Sequence, residues 1–105
     1  MKQFAVYKNR SRNKQVYPYF IDVQADMLAH LNTRLVMPLT QKANSNSQVK
    51  ALTPTLTIDQ TDYVVLATMI TTTDVKNLKD EDVVMDASHL RDQLVGAIDM
   101  MILGI

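Results

Sequence analysis

The residue types able to do chemistry are few in this chain, and their spacing is poor for it. His30 and His89 are the only histidines. They lie far apart in sequence, neither belongs to a metal-ligand spacing, and both read as ordinary surface or partly buried histidines rather than an acid–base pair or ligands. Asp22 and Asp26 are four apart, but on an extended chain they share a face only loosely, and no third ligand follows at a fixed interval. Asp80-Glu81-Asp82 lacks the alternation of a calcium loop and reads as a solvated turn. The serines at 11, 45, 47 and 88 have no nucleophile-elbow glycines beside them. There is no cysteine, which removes disulfides, thiolate zinc sites and cysteine nucleophiles. Gly96 and Gly104 are the only glycines and are too far apart for a phosphate-cradling loop. The residues contain no catalytic constellation and no cofactor motif.

Two features point to binding instead. Tyr7, Lys8, Arg10, Arg12, Lys14, Tyr17 and Tyr19 form a basic arm with aromatic neighbours, a weak nucleic-acid signal in a chain of zero net charge. Residues 1–21 carry bases and no acid, whereas residues 74–99 are rich in acids. That asymmetry steers a charged partner if it survives folding, although solvated surfaces give the same pattern. The second feature is the end of the sequence, Met-Met-Ile-Leu-Gly-Ile, where chain ends are usually polar and frayed. On a helical wheel Leu90, Leu94 and Met101 centre an apolar stripe, while Met100 and Leu103 fall on the opposite side with Asp92 and Asp99. Leu103 with Gly104-Ile105 therefore reads as a contact surface for a partner.

The elements that must position these groups follow from period and punctuation. Gln3–Lys8 is a first strand with Phe4 and Val6 on one face, Asn9–Gln15 a hairpin loop, and Val16–Gln24 a second strand. In that second strand Tyr19, Ile21 and Val23 face one side, and Phe20 and Asp22 the other. Arg34–Leu39 is a third strand, Gln41–Gln48 a loop, and Pro54–Ile58 and Asp62–Ile70 two strands around the turn Asp59-Gln60-Thr61. Val75–Leu78 adds a short sixth. The period then becomes helical from Leu90 onward, with Asp86 or Ser88 as N-cap and Gly104 as a left-handed C-cap. The expected fold is α+β: one domain over residues 1–105, a small, strongly bent antiparallel sheet or barrel with a packed C-terminal helix. At 105 residues with 47% apolar content the core is thin, and a second copy would help to cover it. No apolar run reaches the length of a membrane span and no export signal is present, so the expected location is the cytoplasm.

Several segments resemble the CcdB family of bacterial toxin–antitoxin toxins. They are Gln3-Phe4 with Val6-Tyr7, the block Phe20–Asp26, Asn32–Leu39, Ser88–Arg91, Ala97-Ile98 and the closing Gly104-Ile105, all in the family's order. The resemblance implies an SH3-like barrel with a C-terminal helix, acting as a homodimer and not as an enzyme. The implied target is the A subunit of DNA gyrase, trapped on cleaved DNA, with no direct sequence-specific nucleic-acid binding. The implied gyrase contacts match Leu103, Gly104 and Ile105, together with Asp99, Ile102, Met27 and Leu28. The implied neutralising partner is a CcdA-type antitoxin with a disordered C-terminal segment that folds on binding. From charge alone, that segment is expected on Lys8, Arg10, Arg12 and Lys14. The family's best-known member has an aromatic where this chain has Leu103 and an Asn where it has Asp99, which implies weaker gyrase binding here. Two alternatives stand beside this reading. One is a ribonuclease like the MazF/Kid toxins that share the barrel, using Arg10 or Arg12 for phosphate and Asp22 or His30 as base. The other is a weakly toxic chromosomal homologue.

Overall fold

The computed structural model describes residues 2–45 and 49–104. Among these, seven strands form a single antiparallel sheet: β1 (Ala5–Lys8), β2 (Tyr19–Asp22), β3 (Thr33–Gln41), β4 (Thr55–Ile58), β5 (Thr61–Val65), β6 (Thr71–Asp74) and β7 (Val83–Asp86). The helix α1 (Arg91–Leu103) follows. The order across the sheet is β4-β5-β3-β2-β1-β7, with β6 also on β3. β3 makes the sheet curl into a half-barrel, because its first half pairs with β6 and its second half with β5. Pro38 sits where the partner changes. Its carbonyl accepts from the Leu66 N–H at 2.9 Å. The N–H and C=O of one strand residue share an edge, so the donor that proline lacks falls in the gap between β5 and β6.

The expected alternation is present. Phe4, Val6, Ile21 and Val23 lie in the main core, with Tyr19 packed against it. Ala5, Tyr7 and Val36 line the other face under Leu78, with Phe20 beside them. From α1, Leu94 and Ala97 are buried in the main core, and Ile98 and Met101 pack at its edge. Burying a Leu such as Leu94 contributes roughly 1.5–3 kcal/mol. β4 and β5 turn through Asp59 and Gln60, both at positive φ (49° and 68°), as a two-residue loop matched to strand twist requires.

Several elements differ from expectation. β1 begins at Ala5 rather than Gln3, and β3 runs from Thr33 through Gln41, into the segment expected as a loop, of which residues 46–48 lie outside the described residues. The second strand starts at Tyr19 rather than Val16, because the Val16 and Tyr17 N–H groups both turn back to the Asn13 carbonyl. The strand expected over 62–70 ends at Val65, and a 3-10 turn, Ala67–Met69, separates it from β6. Val75–Leu78 is not a strand, since residues 75–77 form a 3-10 turn one step after the ladder with β3 ends at Asp74. β7 has no clear sequence signal, being a four-residue edge strand next to an acidic run. The helix ends as expected. Gly104 is left-handed (φ 74°) and donates its N–H to the Met100 carbonyl at 2.9 Å. The start differs: the N-cap of α1 is Leu90 and that of the preceding 3-10 turn Ser88–Leu90 is Ala87, neither with a side-chain cap. Asp86 instead accepts from the Ser88 N–H at 2.7 Å in a local turn ahead of them.

Candidate functional site

The first surface is the end of α1. Ile102 is 76% exposed and Leu103 63%, and Asp99 and Gly104 are also exposed, so the last turn gathers four of the anticipated contact residues in one place. Ile105 lies outside the described residues. Met100 departs from expectation: it is half-buried, not on the open side with Leu103. The helix packs on the turns Lys50–Leu52 and Ala67–Met69 as well as on Ser88–Leu90, so more than one stripe of it is covered.

Met27 and Leu28 come from elsewhere, on the 3-10 turn Asp26–Leu28 that follows β2. Met27 is 84% exposed, and no residue of that turn is buried. A network of buried polar groups stands behind the turn. Arg34 on β3 and Asp22 on β2 are both fully buried, with Arg34 Nε donating to Asp22 Oδ2 at 2.8 Å. Burial pushes the Asp22 carboxyl up, against the pull of the guanidinium. Arg34 also lies 3.5 Å from Asp26, so it is what joins the two carboxylates spaced four apart, as counter-ions and not as an acid–base pair. Sequence reading missed Arg34 as their partner. The available signal was a charged residue among apolar neighbours on each strand, Asp22 after Phe20-Ile21 and Arg34 before Leu35-Val36.

The second surface is the first loop. Lys8, Arg10, Arg12 and Lys14 are all exposed. The loop is ordered by Asn9, which is buried and whose side chain donates to the Tyr17 carbonyl and Asn13 Oδ1 and accepts from the Ser11 N–H. Arg10 is already engaged: its Nη2 and Nε donate to Asp82 Oδ1 at 2.7 and 3.0 Å, which holds the Asp82 carboxyl below its usual range. Lys2 likewise pairs with Asp86 at 3.1 Å. The basic and acidic ends of the sequence therefore meet across the β1–β7 edge, and part of the asymmetry cancels. Lys8, Arg12 and Lys14 have no ion pair among the described residues. Two clefts flank Arg10. One of about 240 Å³ lies beside Lys8, Lys14 and Tyr19, and one of about 380 Å³ beside Phe20, Lys76 and Lys79. Lys76 and Lys79 were hidden from the sequence reading by the acidic stretch around them.

His30 and His89 are exposed on separate turns. Among the described residues no group of three His, Cys, Asp or Glu side chains is placed to hold a metal ion. No helix there is long and apolar enough to cross a membrane. The two surfaces offer apolar contact at the helix end and positive charge at the first loop. No curated protein matches the chain. The family model described as "CcdB protein" matches residues 3–104, nearly the whole of the sheet and helix just described, and the chain belongs to the CcdB family, the toxins of toxin–antitoxin pairs.

Proposed function

We propose that this protein is a non-enzymatic poison of DNA gyrase. As a cytoplasmic homodimer it binds the gyrase A subunit through Asp99, Ile102, Leu103, Gly104 and Ile105 with Met27 and Leu28, and traps the enzyme on cleaved DNA. The observation that carries this reading is the exposure of Ile102 and Leu103, the most open apolar side chains of a helix whose Leu94, Ala97, Ile98 and Met101 are packed. Unpartnered apolar side chains at a fixed helix end need a partner surface and no acid or base. A two-fold pair of such ends offers a two-fold target a bivalent contact. Neutralisation comes from a CcdA-type antitoxin whose acidic, disordered segment is drawn to Lys8, Arg10, Arg12 and Lys14. The clefts on either side of Arg10 support that placement.

The test is a gyrase cleavage assay on supercoiled plasmid. The full chain should accumulate linear DNA after detergent and protease treatment, and a chain lacking Leu103 to Ile105 should not. If the truncated protein still accumulates linear DNA, the site is misplaced. Cleavage of single-stranded RNA by the purified protein would overturn the non-enzymatic reading.

A further inference from the structure

We infer that Arg34 is a positioning residue: from inside the sheet it fixes the 24–28 segment in the shape that presents Met27 to the partner. The inference rests on the reading of Met27 and Leu28 as part of the gyrase contact. Arg34 is fully buried and cannot reach a partner itself. Its guanidinium reaches three successive points of the chain leaving β2. They are Asp22 Oδ2 at 2.8 Å, the Gln24 carbonyl at 3.2 Å and Asp26 Oδ1 at 3.5 Å. The groups it touches extend the grip. Asp22 Oδ1 accepts from the Gln24 N–H at 3.0 Å, and Asp26 Oδ1 accepts from the Gln3 N–H at 2.8 Å. The Gln24 side chain accepts from the Leu35 N–H and donates to the Leu28 carbonyl, each at 3.1 Å. The chain is thus tied at residues 22, 24, 26 and 28.

The Asp26–Leu28 turn is a single 3-10 turn without a buried residue, and an isolated turn of that length has little stability of its own. Its order comes from the polar network behind it, and order before binding is what preserves affinity. Stability alone is a poor reason for an arginine here. A buried ion pair is often no better than well-packed apolar residues, and Arg34 Nη1 has no hydrogen-bond partner among the described residues. The guanidinium offers a planar fork that serves several acceptors at once, which a lysine does not reproduce.

Asp26→Ala releases the exposed end of the network, its bond to the Gln3 N–H included, and leaves the Arg34–Asp22 pair in place, so Arg34→Lys is needed beside it to test the guanidinium itself. The melting temperature of Asp26→Ala should stay within about 4 °C of the unaltered protein. Amide exchange should quicken over residues 24–31 and not in β1, β7 or α1, and the dissociation constant for the gyrase A subunit should rise about tenfold. Arg34→Lys, which keeps the charge but not the fork, should show the same regional pattern. Unchanged exchange over 24–31 in a folded Asp26→Ala variant overturns the inference, and so does quickened exchange with affinity within about twofold. If the unaltered protein does not bind the gyrase A subunit, the functional reading fails, and the exchange data alone decide whether Arg34 holds the segment.

Discussion

Replacing Leu103 with Ala separates the contact from the fold. In the free protein 63% of Leu103 is open to water, and Gly104 ends the helix directly after it. Complete burial of a Leu side chain is worth roughly 1.5–3 kcal/mol. With most of its surface still exposed, about 1–2 kcal/mol of that remains for a partner to gain. Alanine forfeits nearly all of it, which corresponds to a dissociation constant about 5- to 30-fold weaker for each helix end engaged. The cost to the fold should be within about 0.5 kcal/mol, since the side chain leaves no cavity and alanine is the better helix former. Calorimetric titration against the gyrase A subunit, alongside a thermal melt, reads both quantities. Unchanged affinity in a fully folded Leu103→Ala variant would refute the reasoning. A large fall in melting temperature would do the same from the other side, by making Leu103 part of the core.

Arg34→Met leaves Asp22 buried without its counter-ion and should cost about 3–5 kcal/mol at neutral pH. Because burial already pushes the Asp22 carboxyl up, protonation relieves the stranded charge, so the deficit should shrink in acid. Asp22→Leu added to Arg34→Met should recover most of it; denaturant curves at two pH values check all three statements. Asp86 is held down to about 2 by the N–H and hydroxyl of Ser88 and then by Lys2. A carboxyl lowered on folding stabilises above its unfolded value of 3.8 and loses that contribution as pH falls through its folded one. Asp86→Ala should therefore melt below the unaltered protein at pH 7 and draw level with it only as the pH falls below about 2, and a gap that persists there would contradict the role of the ionised carboxylate at Ser88. Asp82→Asn frees Arg10, so an acidic antitoxin segment should bind with a steeper dependence on salt. An unchanged slope would remove Arg10 from that surface.

Local pattern was legible from the residues alone. The change from period two to period three-and-a-half located the sheet and then the helix, and Gly104 marked the helix end because few residues other than glycine accept its positive φ. The open apolar side at Leu103 was also legible, since the spacing of Leu90, Leu94 and Met101 leaves it nowhere to pack. Met100 was misplaced because a wheel describes one helix and not the several turns that flank it. Pairings between distant segments were decided only in three dimensions. Asp82 is 72 residues from Arg10, and no charge count reveals that β7 lies beside β1 and brings the two together. The Asp22–Asp26 spacing hinted at shared chemistry, yet Arg34, reached only through the register of β2 on β3, turns that hint into a frame for Met27. Periodicity is set by each residue and its neighbours along the chain, whereas the choice of partner across a sheet depends on how the whole apolar surface closes.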